Sequence, residues 1–284
     1  LLLAVTCSKD ENGDIQHFSN SDVYPILNES GPSDPAWSPD MSTIVYSYLA
    51  NIWSITPEGT EEPVQVTSMA GTELYPEWSP AAGENKIVFI NTDGSSYKIY
   101  TLSPGAGEPE EVASFTSQIA WTSWSNDGEY IIFTKVGKKA IYRVPAAGGE
   151  AVLIENTEGW QTVEVAQASP ARNVVIFVDQ AEGAVRINEI SVQGGAPKNI
   201  ISFRNTPEHP SALAESHDGT MVAYATPFET TWNENIIFVP SAGGNVIPVT
   251  DFYNDQPKNP SWASDGKRLV IQMPNGIYMV EVKL

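Results

Sequence analysis

The sequence predicts an all-β protein, a six-bladed β-propeller with four antiparallel strands in each blade. Two observations support this prediction. A tryptophan-containing segment recurs through the chain, and short β-branched or aromatic runs alternate with recurring turn sequences. Repeats of about 45 residues that contain four short strands are typical of propeller blades.

The recurring segment first appears as Pro35–Asp40, with the sequence PAWSPD. When the copies are aligned on the tryptophan, residues 37, 78, 124, 168, 215 and 262 share one position, 41 to 47 residues apart. Copies four and five carry Ala168 and Glu215 there. The Ser-Pro-Asp-Gly sequence that follows predicts a turn, because Pro presets φ, Asp bonds nearby backbone and Gly accepts a positive φ.

Each copy then continues with runs that predict further strands. Ile44–Tyr46 is an example of the second strand and Ile52–Ile55 of the third, which begins with Ile in all six copies. Gly-rich turns such as residues 146–149 lead to a fourth strand in five copies. These runs favour β-structure, are too short for helices, and leave no segment with useful helical periodicity.

The sixth copy stops at Leu284, after its third strand, which would leave an unpaired sheet edge. Ile15–Ser19 resembles the missing strand in length and pattern, so we predict that it closes blade six. The predicted organisation is therefore a short leader and tether over residues 1–14, followed by the propeller over residues 15–284.

An apolar run at the N-terminus ends at Cys7, the one cysteine of the chain, and polar residues follow. This pattern resembles the end of a bacterial lipoprotein signal peptide, with Ala4 and Thr6 departing from its preferred residues. We expect Cys7 to be the site of lipid attachment, and the protein to be a periplasmic or cell-surface lipoprotein of the outer membrane. The alternative is an ordinary thiol.

The chain is acidic, with 35 Asp and Glu against 15 Lys and Arg and a net charge of −20. Such a surface repels nucleic acids and anionic lipids, so we expect neither as a partner and a membrane contact only through the lipid anchor. Its hydrophobic content of 41% is enough for a substantial core.

The Pro-x-Trp-Ser-Pro-Asp-Gly turn, the third strand beginning Ile-Tyr or Ile-Trp, and the Gly-Gly turn resemble the repeats of the TolB propeller family. The resemblance covers nearly all of the chain after residue 30 and implies a protein-binding role. Similar repeats occur in propellers of prolyl-oligopeptidase-type enzymes. The Gly-x-Ser-x-Gly sequence of their hydrolase domain is absent from these 284 residues.

Aromatic residues outside the repeated tryptophan position are the candidate binding residues. The loops between blades, and those between second and third strands, emerge on one face of a propeller. We predict that this face binds a protein segment or a sugar ring. The alternative is that these rings cap the blade ends. The candidates are Tyr75, Trp121, Trp160, Phe203, Trp232 and Tyr253.

Glu215 is the candidate charged residue, because it replaces an aromatic residue in a first strand that lies near the propeller axis. A carboxylate there could bind a cation or act in acid–base chemistry, or could be solvated in the channel. The three histidines fall at different repeat positions without metal-ligand spacing. We therefore predict no metal site and no catalytic group, and leave calcium as the one cofactor to test.

We expect a non-catalytic protein-binding or scaffolding propeller of the cell envelope that binds through its loop face. Two alternatives remain open. One is a metal-dependent enzyme of the lactonase type, which would need three or more inward carboxyl or amide ligands for calcium. The other is a surface glycan-binding lipoprotein that uses the same aromatic face.

Overall fold

The computed structural model describes residues 21–81, 83–136, 140–154, 163–181, 183–204, 209–227, 234–252 and 255–283. These residues form six antiparallel sheets of four strands each. The predicted six-bladed β-propeller is therefore confirmed. No helix of the length and apolar character needed to cross a membrane occurs in this described part of the chain.

Blades 1 to 3 each use four strands that are consecutive in the sequence. The strands are numbered in chain order, and the first, β1 (Ser21–Leu27), belongs to blade 6. Blade 1 contains β2 (Ser33–Trp37), β3 (Ile44–Tyr48), β4 (Asn51–Ile55) and β5 (Val64–Gln65). Blade 2 contains β6 (Thr72–Trp78), β7 (Ile87–Thr92), β8 (Tyr97–Leu102) and β9 (Glu110–Phe115). Blade 3 contains β10 (Ile119–Trp124), β11 (Tyr130–Lys135), β12 (Ala140–Pro145) and β13 (Val152–Leu153).

Blades 4 and 5 follow the same order, and blade 6 combines the two ends of the described chain. Blade 4 contains β14 (Val163–Ala168), β15 (Val174–Ala181), β16 (Ala184–Ser191) and β17 (Lys198–Arg204). Blade 5 contains β18 (Ala212–Glu215), β19 (Met221–Pro227), β20 (Glu234–Pro240) and β21 (Ile247–Pro248). Blade 6 contains β22 (Lys258–Trp262), β23 (Arg268–Met273), β24 (Gly276–Val282) and β1 (Ser21–Leu27).

The outer strand of blade 6 is β1, which pairs antiparallel with β24. The segment predicted to close blade 6, Ile15–Ser19, lies outside the described residues. In the described part of the chain, Ser21–Leu27 occupies the outer position of this blade. Pro25 lies within this strand, where an edge position beside an irregularity tolerates proline, and the register shifts between Pro25 and Leu27. An added Cβ at Gly276 would collide with the carbonyl oxygen of Leu27, so the closing strand needs glycine there.

The core consists of six apolar clusters, and each cluster lies between two neighbouring blades. Second strands are buried on both faces, as in Ile44, Val45 and Tyr46 of β3, which are all 0% exposed. A strand packed on both faces has a continuous apolar sequence rather than an alternating one. The β-branched runs found in the sequence therefore form the contacts that hold adjacent blades together.

The predicted turns that follow the tryptophan position join each inner strand to the second strand. In blade 1 the Ser38 hydroxyl donates to Asp40 Oδ1 at 2.6 Å, and the Ser125–Asp127 pair of blade 3 repeats this contact at 2.6 Å. Gly128 follows with a φ of 73°. We call the side of the ring that carries these turns the turn face, and the opposite side the loop face.

Candidate functional site

The inner strands of all six blades enclose a cavity of about 110 Å³ on the propeller axis. Its described lining extends from three residues before the tryptophan position to two residues after it. It reaches the turn face at Pro39, Pro80, Pro170 and His217. We call this space the axial cavity. It is large enough for several water molecules or for a side chain of a ligand.

Four of the inner strands place an unusual backbone conformation at the cavity. The residue three before the tryptophan has a positive φ of 48–57° in blades 1, 2, 3 and 6. The register of the inner and second strands shifts at the same place in these four blades. An irregularity of this kind changes the direction of a side chain within a strand. The four residues, all in the cavity lining, are Asp34, Tyr75, Trp121 and Asn259.

Asp34 and Asn259 form a polar pair between blades 1 and 6. The Asn259 Nδ2 donates to Asp34 Oδ1 at 2.7 Å and to Gln272 Oε1 at 2.9 Å. Burial raises the pKa of Asp34 to about 6, although hydrogen bonds from Ser33 and from the Tyr75 backbone act in the opposite direction. Asp34 is therefore mostly ionised at neutral pH but carries a charge that its surroundings stabilise poorly.

Glu77 and Gln167 form a second pair, from blades 2 and 4. The Gln167 Nε2 lies 3.3 Å from Glu77 Oε2, and the two residues are 90 positions apart in the chain. Burial raises the pKa of Glu77 to about 8, and the hydrogen bond from Gln167 offsets only part of this effect. Glu77 is therefore mostly protonated at neutral pH.

Tyr75 and Trp121 form an aromatic pair beside these polar groups. Their ring centroids are 5.2 Å apart and the ring planes are inclined by 39°. The Thr122 hydroxyl donates to the Tyr75 carbonyl at 3.0 Å, which ties the two inner strands together. Burial, with a further contribution from Asp34, raises the pKa of Tyr75 to about 12, so its phenol stays neutral.

Three of the six aromatic candidates lie in the described residues, and each of these three lies in a strand rather than in a loop. Tyr75 and Trp121 lie within inner strands at the cavity, because the irregularity in each strand turns them toward the axis. Phe203 lies in the outer strand β17, where its ring contacts Tyr224 at a centroid distance of 5.9 Å. The other candidates, Trp160, Trp232, Tyr253 and the lipidation residue Cys7, lie outside the described residues.

Glu215 lies at the end of β18, and its side chain is only 1% exposed. Arg172 forms an ion pair with it, and the Ser241 hydroxyl donates to Glu215 Oε1 at 2.7 Å. Although Glu215 belongs to the cavity lining, its carboxylate is occupied by these partners. Glu215 therefore forms a contact between blades 4 and 5.

His217 completes the turn-face end of the cavity. Burial lowers its pKa, so the imidazole is neutral at physiological pH. Within the part of the chain that the structure describes, no group of three or more His, Cys, Asp or Glu side chains could hold a metal ion. The carboxyl groups Asp34 and Glu77 pair with amides instead.

Four polar residues of the lining, Asp34, Glu77, Gln167 and Asn259, were not among the candidates predicted from the sequence. A positional signal was present, because all four lie one or three residues before the repeated tryptophan position. At the same two positions other copies have apolar residues such as Ala36, Val165 and Ala212. That Glu77 pairs with Gln167, and Asp34 with Asn259, is visible only in the folded ring.

Together, these observations define a class: a six-bladed, all-β propeller with a polar and aromatic cavity on its axis. The TolB beta propeller domain family matches residues 10–266. The chain therefore belongs to the TolB beta propeller domain family.

Individual relatives are more distant. The chain is 26% identical over 212 residues to the uncharacterized peptidase YuxL of Bacillus subtilis (strain 168), an alignment that covers 70% of this chain and 30% of that protein. The chain thus spans less than a third of that relative's length.

Two solved structures share the fold. A protein assigned as TolB from Agrobacterium tumefaciens has a TM-score of 0.71 and 18% identity, over 89% of this chain and 90% of that chain. A gluconolactonase from Xanthomonas campestris has a TM-score of 0.66 and 14% identity, over 92% of this chain and 89% of that chain. At these identities the similarity extends to the fold alone.

Proposed function

We propose that this protein is a non-catalytic binding module of the cell envelope that accepts a segment of a partner protein at the axial cavity. The observation that carries the proposal is the Tyr75–Trp121 pair, which faces a cavity that also contains hydrogen-bonding side chains. Aromatic anchors with a few polar groups in a concave site are typical of protein recognition. The membership of the TolB beta propeller family supports the same class of function.

The turn face, rather than the loop face, is the entrance that we propose. The cavity lining reaches the prolines of three Ser-Pro turns and His217 there. Proline rings in turns have little conformational entropy to lose, so they provide a rigid rim for an extended segment. The candidates Trp160, Trp232 and Tyr253 lie outside the described residues and stay predictions.

The test is a capture experiment from envelope extract with the wild-type chain and two matched variants. Trp121→Ala removes an aromatic side chain from the cavity, whereas Phe203→Ala removes a partly buried one from an outer strand. We expect the captured partner to be lost with Trp121→Ala and retained with Phe203→Ala. Retention with Trp121→Ala and loss with Phe203→Ala would place the binding surface on the outer strands instead.

We also propose that Cys7 is lipidated and that the protein is held at the outer membrane, in the periplasm or at the cell surface. The support is the apolar run before Cys7 and the polar residues after it. Cells that express the chain with its native leader should incorporate labelled palmitate, and Cys7→Ser should abolish both the label and membrane association. A membrane-bound Cys7→Ser variant would contradict this proposal.

An enzyme is the second candidate function, and one observation favours it. Glu77 is protonated at neutral pH within a cavity, which is the state of a general acid. A panel of lactone and ester substrates, assayed with and without calcium, tests this alternative. Turnover by the wild type that Glu77→Gln abolishes would favour the enzyme.

Glycan binding is the remaining alternative, since the candidates Trp160 and Trp232 suit a sugar ring. Saccharide binding that is lost in Trp160→Ala or Trp232→Ala, with partner capture unaffected, would favour a glycan-binding surface. Absence of saccharide binding to the wild type would leave the protein-binding proposal as the better account.

A further inference from the structure

We infer that the axial cavity recognises an organic cation, the ammonium or guanidinium group of a lysine or arginine side chain in the bound segment. This inference rests on the proposed function, because it names the chemistry of the group that enters the same cavity. The inference follows from three observations: the charges of the lining, the position of the aromatic pair, and the single described side-chain hydrogen bond of Glu77.

The described lining contains three carboxyl side chains and neither lysine nor arginine. One of the three, Glu215, has its charge balanced by Arg172. The other two, Asp34 and Glu77, receive hydrogen bonds from the neutral amides of Asn259 and Gln167. The cavity therefore has two acidic groups without a cationic counterpart, and a buried carboxylate is stabilised strongly by a nearby cation.

The two carboxyl groups lie on the side of the cavity that carries the aromatic pair. Glu77 and Tyr75 belong to the same inner strand, β6, and the Tyr75 backbone N–H donates to Asp34 of the neighbouring β2. The ring of Tyr75 in turn contacts that of Trp121. A cation placed near a carboxylate and over an aromatic face gains from both contacts, and more so when water is excluded.

Glu77 has unused hydrogen-bonding capacity. Among the described residues its one side-chain hydrogen bond comes from Gln167, at 3.3 Å, near the long end of the range for such bonds. A carboxylate can accept about four hydrogen bonds through its two oxygens. Asp34, by contrast, already accepts bonds from the Asn259 and Ser33 side chains. Glu77 is therefore the group that a cationic donor would bond.

Binding of a cation should be coupled to ionisation of Glu77. The titratable groups that line the cavity with it are Asp34 from β2, Tyr75 from β6, Glu215 from β18, and His217 in the turn that follows β18. Because the pKa of Glu77 is about 8, a cation that stabilises its carboxylate releases a proton at neutral pH. The affinity for the cation should therefore rise as the pH increases from 6 to 8.

The test uses two blocked tripeptides, acetyl-Ala-Lys-Ala-amide and its norleucine counterpart, with the full chain. Binding is followed by tryptophan fluorescence, and by calorimetry at pH 7 in phosphate and in HEPES, whose ionisation enthalpies differ. We expect the lysine peptide to bind about tenfold more tightly, as befits a charge-assisted hydrogen bond, and to release protons. Equal affinities for the two peptides would overturn the inference.

Variants distinguish binding of the lysine side chain in the cavity from binding elsewhere on the acidic surface. Glu77→Gln should remove both the preference for lysine and the proton release, whereas Glu150→Gln, at an exposed position, should keep both. Asp34→Asn serves as a second cavity variant, and thermal melting establishes that each variant is folded. Folded cavity variants that keep the lysine preference would place the cation elsewhere on the acidic surface and overturn the inference.

Two further outcomes distinguish this inference from the proposed function. If both peptides bind equally and Trp121→Ala still abolishes partner capture, the cavity binds a segment but does not select a cation. If partner capture is independent of Trp121, the proposed function fails as well. Calcium that displaces the lysine peptide with one-to-one stoichiometry would assign the carboxyl groups to a metal ion and overturn the organic cation.

Discussion

Blades 1, 2, 3 and 6 differ from blades 4 and 5 in the side chain that each inner strand inserts against the preceding blade. The first group, the tryptophan blades, uses a buried indole that is 2–6% exposed. Trp124, for example, lies in the apolar cluster shared by blades 2 and 3, and its Nε1 donates to the Glu77 carbonyl at 3.2 Å. In the tryptophan blades, the buried indole ring therefore packs against the preceding blade, and in some of them its Nε1 also donates a hydrogen bond.

Blades 4 and 5 fill the same position in two other ways. Ala168 leaves space that Ile132, Ile141 and other aliphatic side chains occupy in the cluster between blades 3 and 4. Glu215 binds Arg172, from the turn after β14, and Arg172 also binds Glu189 at 2.7 Å. Neighbouring blades can therefore be joined by a large ring, by aliphatic packing or by a buried ion pair.

A second difference accompanies the first. The residue three before the tryptophan has a positive φ in the tryptophan blades, whereas Val165 and Ala212 occupy this place in blades 4 and 5 without one. A β-branched residue such as valine is strongly disfavoured in the left-handed region. The aromatic lining of the axial cavity thus comes from the tryptophan blades, whereas its polar lining also includes Gln167 of blade 4 and Glu215 and His217 of blade 5.

The largest expected effect on stability comes from removing one of the buried tryptophan side chains. Trp124→Ala should lower the free energy of unfolding by about 3–5 kcal/mol, because it leaves a cavity between blades 2 and 3. Urea denaturation followed by circular dichroism measures this change.

Ala168→Gly, at the equivalent position of blade 4, is the matched control. It removes one methyl group and should cost about 1 kcal/mol. If both variants lowered the free energy of unfolding equally, the tryptophan and alanine positions would contribute alike to stability. The proposed difference between the tryptophan blades and blade 4 would then be wrong.

The ion pair between blades 4 and 5 provides the next prediction. Arg172→Met leaves Glu215 buried beside Ser241 without its cation, and should cost about 3 kcal/mol. The double variant Arg172→Met/Glu215→Leu places apolar side chains at both positions and should recover most of this loss, because a buried ion pair is often replaceable by packing. A double variant as unstable as Arg172→Met alone would contradict this account.

The ring and its blades could be predicted from the sequence because their signals are local. The Ser-Pro-Asp turn and the apolar second strand each lie within a few residues, and the six copies reinforce one another. The segment predicted to close blade 6, Ile15–Ser19, lies outside the described residues, and Ser21–Leu27 is recognisable as a closing strand only through its pairing with β24.

The candidate site was less predictable because it depends on contacts across the ring. Gln167 reaches Glu77 from 90 residues away, and Arg172 reaches Glu215 from the preceding blade. The inward direction of Tyr75 and Trp121 depends on a backbone irregularity with no turn sequence to mark it. The repeats in the sequence therefore predict where the inner strands lie. The contacts of their side chains cannot be predicted in this way, because they form only when the ring closes.

The pair formed by Glu77 of a tryptophan blade and Gln167 of blade 4 gives a pH-dependent prediction. Burial raises the pKa of Glu77 from 4.5 to about 8, so between these values the folded protein holds a proton that the unfolded chain has released. The corresponding stabilisation is complete below about pH 4 and is lost as the pH rises through 8. Relative to Glu77→Gln, the wild type should lose about 2 kcal/mol between pH 6 and pH 8.

Thermal and urea unfolding at pH 5, 6, 7 and 8 measure this difference. Glu150→Gln, which removes an exposed carboxyl group, should follow the wild type across the range. A constant difference between the wild type and Glu77→Gln would show that the Glu77 side chain is ionised in the folded protein at neutral pH.

The smallest expected effect separates the tryptophan blades from one another. The indole Nε1 of Trp124 donates to Glu77, and that of Trp262 donates to the Ala214 carbonyl at 3.2 Å. The Nε1 of Trp78 is buried without a partner among the described residues. Replacement by phenylalanine keeps an aromatic ring in every case but removes the N–H group, so only Trp124 and Trp262 lose a hydrogen bond.

Trp124→Phe and Trp262→Phe should therefore cost about 1 kcal/mol more than Trp78→Phe, the net value of a typical buried hydrogen bond. Trp78 is the better reference than Trp37, whose ring also faces the Arg268 guanidinium at 5.3 Å. Urea denaturation of the three variants provides the comparison. Equal losses would mean that the indole position is selected for ring volume alone, and that the tryptophan blades are equivalent at their inner contacts.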